Sequence, residues 1–381
     1  MFRKISSGEV VDRREIEFVK QRFLTLSNAT DVKPIRPHKA TLPRDKSDII
    51  DGFATLEGTA RHASLYGAGS SEFYAEAGGL LLSKLGVGTS IGSAVQEDYV
   101  ENVAFCLRGG LNVIDTAPNY GSNFSESFVG DALRSFISQG GDRSGVVVIT
   151  KSRSPSHEAK LSHVGNGTSE RRGADSLRSQ IDESRLRIGV STIDVLLLHN
   201  LECQLSGMNG ANSERYLVSA FTVLEKAASE GAIGQYGFST WSGLYDNTLR
   251  LKTLVDLARS VAGEGHRLKF IEIPFNMGLV HGLPVIFEAN DLNFAVLGSA
   301  SLMQGALSDG LPLPVRDRMS SLATDALRAL QFVRSTPGLA VALVGMSVRR
   351  HIIENLSLSN RRALDTEAYN EIVSAILDGA K

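Results

Sequence analysis

LNVIDTAPNYG, residues 111–121, opens as an apolar run and breaks into polar residues, with Asp115 ending the run and Tyr120 on the loop that follows. The run reads as a short buried strand. On its N-terminal side, Val100, Val103, Ala104 and Leu107 form an i, i+3, i+4, i+7 stripe that stops at Gly109 and Gly110, as an amphipathic helix with a glycine terminus does. On its C-terminal side, Val129, Ala132, Leu133 and Phe136 repeat the same spacing. The stretch is therefore a strand between two helices, and the same unit recurs along the chain.

Strands are expected at LGVGT (85–89), NVIDTA (112–117), VVVITK (146–151), IDVLLLH (193–199), QYGFST (235–240), FIEIPFN (270–276), FAVLGSA (294–300) and AVALVGM (340–346). Runs such as VVVIT and DVLLL are apolar at consecutive positions, which fits parallel strands covered on both faces. Leu217, Ala220, Phe221 and Leu224 carry the helical stripe again, and 174–189, 244–262, 324–335 and 348–358 read as helical. The crossover near 283–290 has the least helical signal. Eight strand-then-helix units without a long interruption predict a closed (β/α)8 TIM barrel, and no GxGxxG follows the first strand to suggest an open dinucleotide-binding sheet.

The barrel unit is expected over 73–381, preceded by an extension over 1–72. In the extension, Ile16, Val19, Phe23 and Leu26 predict one amphipathic helix, and the proline-containing stretch 29–48 reads as an irregular linker. This arm is expected to pack on the barrel or on a partner, an oligomer included. Gly78 and Gly79 predict a hairpin just before the first barrel strand, and a terminal helix is expected near 365–378.

The chain of 381 residues is 42% hydrophobic and 22% charged, with a formal net charge of -2. That balance gives no broad electrostatic footprint for nucleic acid. Cys106 and Cys203 are the only cysteines, so neither a disulfide framework nor a paired-cysteine metal site is expected, and no metal is assigned. No apolar run has membrane-spanning length, and the acidic residues Glu9, Asp12, Glu15 and Glu17 argue against a leader peptide. A cytoplasmic setting is expected.

In a parallel barrel the active site forms at the C-terminal strand ends. Asp115, Lys151 and His199 end the second, third and fourth strands, and Tyr120 follows the second. Each has an ordinary structural explanation when taken singly; their convergence on one mouth favours a site. A phenol titrates near 10, so its use as an acid and base near neutrality requires about 1.4 kcal/mol of phenolate stabilisation per pKa unit. The Lys151 ammonium supplies positive charge, Asp115 holds that ammonium, and His199 can hydrogen-bond the oxygen that Tyr120 protonates. None of the four delivers a hydride, so reduction requires a cofactor.

This set is similar to the catalytic tetrad of the aldo-keto reductase superfamily. GLNVIDTAPNYGSNFSESFVGDAL resembles the family signature around its aspartate and tyrosine, VVVITKS and IDVLLLHN its lysine and histidine segments, EGAIGQYGFSTW its fifth strand, and VGMSVRRHIIENL its C-terminal cofactor segment. The resemblance covers roughly 73–358. It implies a TIM-barrel oxidoreductase using NADPH or NADH, with NADP favoured, on an aldehyde, ketone or sugar-like carbonyl or the corresponding alcohol. It assigns Asp115, Tyr120, Lys151 and His199 to catalysis. It places Ser239, Thr240 and Glu272 at the nicotinamide, Leu302, Gly305 and Leu307 at the pyrophosphate, and Glu354 and Asn355 at the adenine. A helix start near Ser347 is a phosphate site on physical grounds as well.

The chain departs from the family pattern at Thr240 and Glu272, where Asn and Gln are common, at Ser299, and at Gly345 and Ser347, with Arg349 and Arg350 nearby. The loops 152–173, with His157, His163, Arg171 and Arg172, and 200–212 are long, as substrate-selecting loops are. Two other functions stay open at this point. One is a nucleotide-sensing binding protein resembling the potassium-channel β-subunit branch; the other is a non-redox lyase or epimerase using Tyr120 and Lys151.

Overall fold

The computed structural model describes residues 48–67, 71–90, 98–153 and 169–378. The helix expected around Ile16 to Leu26, the linker before residue 48, and His157 and His163 lie outside the described residues, as do the side chains of Arg171 and Arg172. All eight expected barrel strands form. They are β3 (Leu85–Gly88), β4 (Val113–Asp115), β5 (Val147–Lys151), β6 (Ile193–Leu198), β7 (Ile233–Ser239), β8 (Leu268–Pro274), β9 (Ala295–Ser299) and β10 (Leu339–Gly345), closed in the order β10-β3-β4-β5-β6-β7-β8-β9. Every adjacent pair in the ring is parallel.

The consecutive apolar residues in these strands divide between two cores. Val147 and Ile149 of β5 and Val195 and Leu197 of β6 point into the barrel, where they meet Phe270, Leu297 and Val341. Val148, Leu196 and Leu198 point outward against the helices. A side chain such as the fully buried Phe270 contributes roughly 1.5–3 kcal/mol by leaving water.

The hairpin is also present, with β1 (Tyr74–Ala77) antiparallel to β2 (Leu80–Ser83). Gly78 and Gly79 turn it with φ of +58° and +71°, a conformation that favours glycine. A Cβ on Gly78 would lie 2.7 Å from the Phe270 ring, so the turn must be bare to reach the barrel floor. The hairpin thus seals the N-terminal end of the barrel and leaves the opposite mouth for chemistry.

Helices α2 (Tyr99–Arg108), α3 (Ser125–Ser138), α4 (Ser169–Ile188), α6 (Gly210–Ser229), α7 (Leu251–Ala262), α8 (Leu283–Asp291) and α10 (Asp325–Arg334) make the crossovers, with α11 (Arg349–Leu356) and α12 (Thr366–Asp378) following β10. Short α5 (Leu201–Gln204) and α9 (Leu313–Arg318) decorate loops. The helix expected from residue 244 starts at Leu251 instead. Asn247 takes a left-handed φ of +59°, and the Asp246 carboxylate accepts hydrogen bonds from the Thr248 backbone N–H and hydroxyl at 3.0 and 2.7 Å, a local turn that competes with helix.

Helix α1 (Leu56–Tyr66) is absent from the sequence expectation. Thr55 caps it, accepting from the Gly58 N–H at 2.9 Å, and a Cβ on Gly58 would stand 2.2 Å from the Ser144 carbonyl oxygen. Close backbone approach therefore fixes α1 to the turn that precedes β5. The lead-in to α1 is held by Asp194, a buried carboxylate on β6. It accepts from the Ala54 N–H at 2.6 Å, the Val148 N–H at 2.7 Å and the Arg143 guanidinium at 2.8 Å. Asp194→Ala strands the buried Arg143 charge, and a loss of about 3–5 kcal/mol is expected in urea unfolding. A change below about 1 kcal/mol would show that these bonds are replaceable by water.

Candidate active site

Closure of the barrel brings the polar strand ends to one rim. Asp115 ends β4, Lys151 ends β5 and His199 directly follows β6. The loop after β4 is pinned by the Thr116 N–H donating to the Ile149 carbonyl at 2.9 Å and by hydroxyl bonds from Thr116 to Ser125 and from Ser125 to Thr89, at 3.0 and 2.6 Å. Tyr120 sits on this loop just before a short helical turn, Gly121–Asn123, in which Gly121, Ser122 and Asn123 all have left-handed φ. The exposed Ser122 and Asn123 are held in this turn by backbone hydrogen bonds, the Asn123 N–H donating to the Tyr120 carbonyl at 2.9 Å and the Phe124 N–H to the Gly121 carbonyl at 3.1 Å.

Lys151 is buried at the centre. Its ammonium pairs with Asp115 Oδ1, lies 2.8 Å from Glu272 Oε2 and 3.5 Å from the Thr116 carbonyl oxygen, and stands 5.4 Å from the centre of the Tyr120 ring. The Tyr120 and His199 rings meet edge to face with centres 5.9 Å apart. The four groups proposed for chemistry are therefore neighbours. Glu272 joins them from β8, whereas the sequence placed it with the cofactor. Ser152, which sequence reasoning passed over, supports His199 by accepting its backbone N–H at 3.1 Å. Its only signal was adjacency to Lys151.

Burial dominates the electrostatics of this cluster. It pushes the Asp115 carboxyl up to about 7, against the attraction of Lys151 and with the repulsion of Glu272 adding to it. Burial opposes charge on Lys151, yet Asp115 and Glu272 together hold its ammonium above the ordinary lysine value. Burial raises Tyr120 above the ordinary phenol range, and the pull of Lys151 does not overcome it. Tyr120 is thus held as a neutral phenol. His199 is pushed down to about 3 by burial and then by the Lys151 charge, and its Nδ1 is enclosed without a hydrogen-bond partner among the described residues.

The remaining sequence-predicted residues occupy the other half of the rim. Ser239 ends β7 and Thr240 follows it, beside Glu272 on β8 in register with Ser239. The Ser239 hydroxyl accepts from the Asn200 N–H at 3.0 Å and the Thr240 hydroxyl from the Gly243 N–H at 2.9 Å. Leu302, Gly305 and Leu307 share one turn after β9, in which the Leu302 carbonyl accepts from both Gly305 and Leu307. Ser347 lies between β10 and α11, its carbonyl accepting from the Asn102 side chain at 2.8 Å. Glu354 accepts from the Thr324 hydroxyl, and the buried Asn355 amide donates toward Met346 Sδ at 3.5 Å. Arg349 stacks on Phe105 at 4.1 Å, and Arg350 is exposed. Among the described residues no group of three or more His, Cys, Asp or Glu side chains is arranged to hold a metal ion, and no helix is long and apolar enough to cross a membrane.

A depressed His199 contributes stability that is fully present above its ordinary value of 6.5 and is lost as pH falls toward about 3. NMR of the His199 ring is expected to show one neutral species from about pH 5 to about pH 9. A titration in that window would mean that water reaches the ring.

Comparison with known proteins agrees with this architecture. A solved aldo/keto reductase from Klebsiella pneumoniae, in complex with NADP and acetate, matches 80% of this chain and 96% of its own at 20% identity with a TM-score of 0.57. The holo form of an aldo-keto reductase from Bacillus halodurans matches 80% of this chain and 95% of its own at 19% identity with a TM-score of 0.54. At these identities the likeness is one of fold. No curated protein matches the sequence. The model of the Aldo/keto reductase family matches residues 84–310, more than half of the chain. With its closed parallel barrel and floor hairpin, this chain belongs to the aldo/keto reductase family and is classed with it as an NAD(P)-dependent oxidoreductase.

Proposed function

We propose that this protein interconverts a small carbonyl compound and its alcohol with NADP(H), Tyr120 acting as the general acid and base. The observation that carries the reading is the buried Lys151 ammonium, paired with Asp115 and facing the Tyr120 ring at the same mouth as His199. The residues at the rim fit a nicotinamide nucleotide. The Ser239 and Thr240 hydroxyls each accept one backbone N–H, which leaves their protons to donate to a carboxamide oxygen. Leu302, Gly305 and Leu307 would flank the pyrophosphate, and Ser347, at the turn into α11, would meet a phosphate near the free N–H groups of that helix. Glu354 and Asn355 would border the adenine. NADP is favoured over NAD because Arg350 is exposed at the start of α11, and the Klebsiella pneumoniae structure contains NADP.

When bound, the cofactor supplies or accepts the hydride. The protein's residues manage the proton and the oxygen. Neutral His199 offers a ring N–H to the carbonyl oxygen, fixing its place without adding a charge. Tyr120 donates its phenolic proton to that oxygen, and the resulting phenolate is stabilised by the Lys151 ammonium. Asp115 keeps that ammonium aimed and charged in a buried site. The aldehyde, ketone or sugar-like class is the one the family resemblance implies, the carbonyl oxygen meeting Tyr120 and His199 together. We also take residues 73–381 as the catalytic unit and 1–72 as an extension available to a partner or second copy.

Tyr120→Phe is expected to lower kcat/KM by about 10²–10⁴-fold while NADPH fluorescence titration shows retained binding. Full turnover in that variant would overturn the role given to Tyr120.

A further inference from the structure

Lys151 is bracketed from opposite sides of the barrel. In the closed ring β4 and β8 stand four strands apart, so Asp115 and Glu272 face one another across the mouth, with the ammonium between them. Both carboxylates and the lysine are buried, and Glu272 Oε2 approaches Nζ to 2.8 Å. Once Asp115 is ionised, two carboxylates set against one ammonium leave a net negative charge beside Tyr120 in a region that water does not screen. A neutral amide at the same place could orient a neighbour but would not leave that charge.

Resting on the reading of Tyr120 as the proton donor, we propose that Glu272 is a positioning residue for Lys151 whose charge keeps Tyr120 a phenol and so sets the pH that divides carbonyl reduction from alcohol oxidation. The ionisable groups facing the cluster are Asp115 from β4, Tyr120 from the following loop, His199 after β6 and Tyr99 from α2. His199 and Tyr99 are neutral at the pH of interest, which leaves the two carboxylates and the ammonium to decide the field at Tyr120. Asp115 is already paired with Lys151, so removing the Glu272 carboxylate takes away a second ion-pair partner of the ammonium that Asp115 does not replace. The phenolate, stabilised by a lysine now less neutralised, then forms at lower pH.

The test uses the full chain and the variants E272Q, E272D and Y120F. The Tyr120 titration is read without turnover, as the ultraviolet tyrosinate absorbance lost in Y120F, and pH profiles of carbonyl reduction and alcohol oxidation are recorded beside it. In E272Q the Tyr120 titration and both profiles are expected to move to lower pH by about one unit, roughly a tenfold change in phenolate fraction at fixed pH. E272D, with the carboxylate drawn back by one methylene, is expected to move the same way by less, and it serves alone if E272Q does not fold. An unmoved Tyr120 titration in a folded variant, or a shift to higher pH, overturns the proposal. Full activity in Y120F overturns the reading beneath it; an inactive Y120F with an unmoved titration in E272Q overturns only the role of Glu272.

Discussion

Closure of the barrel through the β10–β3 pairing is the constraint on which the rest of this molecule depends. Ala342, Leu343, Val344 and Gly345 pair in register with Leu85, Gly86, Val87 and Gly88, joining the two ends of the parallel sheet. A parallel sheet left open would expose two edges of unpaired backbone and would lack cover on its inner face. Closure removes the edges and buries the inward side chains. It also gathers every strand terminus onto one ring, which converts polar residues far apart in sequence into a site.

The floor and the mouth of that ring follow opposite physical rules. At the floor the hairpin turn presses against Phe270, and Asp194 satisfies two backbone N–H groups and a guanidinium, so its buried charge has a partner on each side. At the mouth the matching is incomplete. Two buried carboxylates share one ammonium, Tyr120 is kept protonated, and His199 is held neutral with an enclosed ring nitrogen that has no partner among the described residues. Polar groups left in that condition are costly to bury, and the strained turn behind Tyr120 adds to the cost. The stable floor lets the mouth carry it.

Much of this was legible in the sequence because the relevant physics is local. Consecutive apolar residues in VVVIT and DVLLL announce strands covered on both faces, and the paired glycines before LLLSK announce the floor hairpin. Helix α1 was not legible. Its seat depends on a close approach of Gly58 to Ser144, a residue far along the chain, and not on an apolar stripe. The start of α7 was displaced by the hydrogen bonds of Asp246, a side chain competing with its own backbone.

The sequence by itself determined the strand count, the parallel closed barrel and the polar residues that end the second, third and fourth strands, because periodicity and burial are written residue by residue. Only the tertiary structure decided which of those residues share a charge. By its resemblance Glu272 reads from sequence as a nicotinamide contact together with Thr240, yet the curvature of the ring carries it across the mouth to Lys151. Electrostatic coupling depends on distance and burial in three dimensions, and neither is encoded in the spacing along the chain.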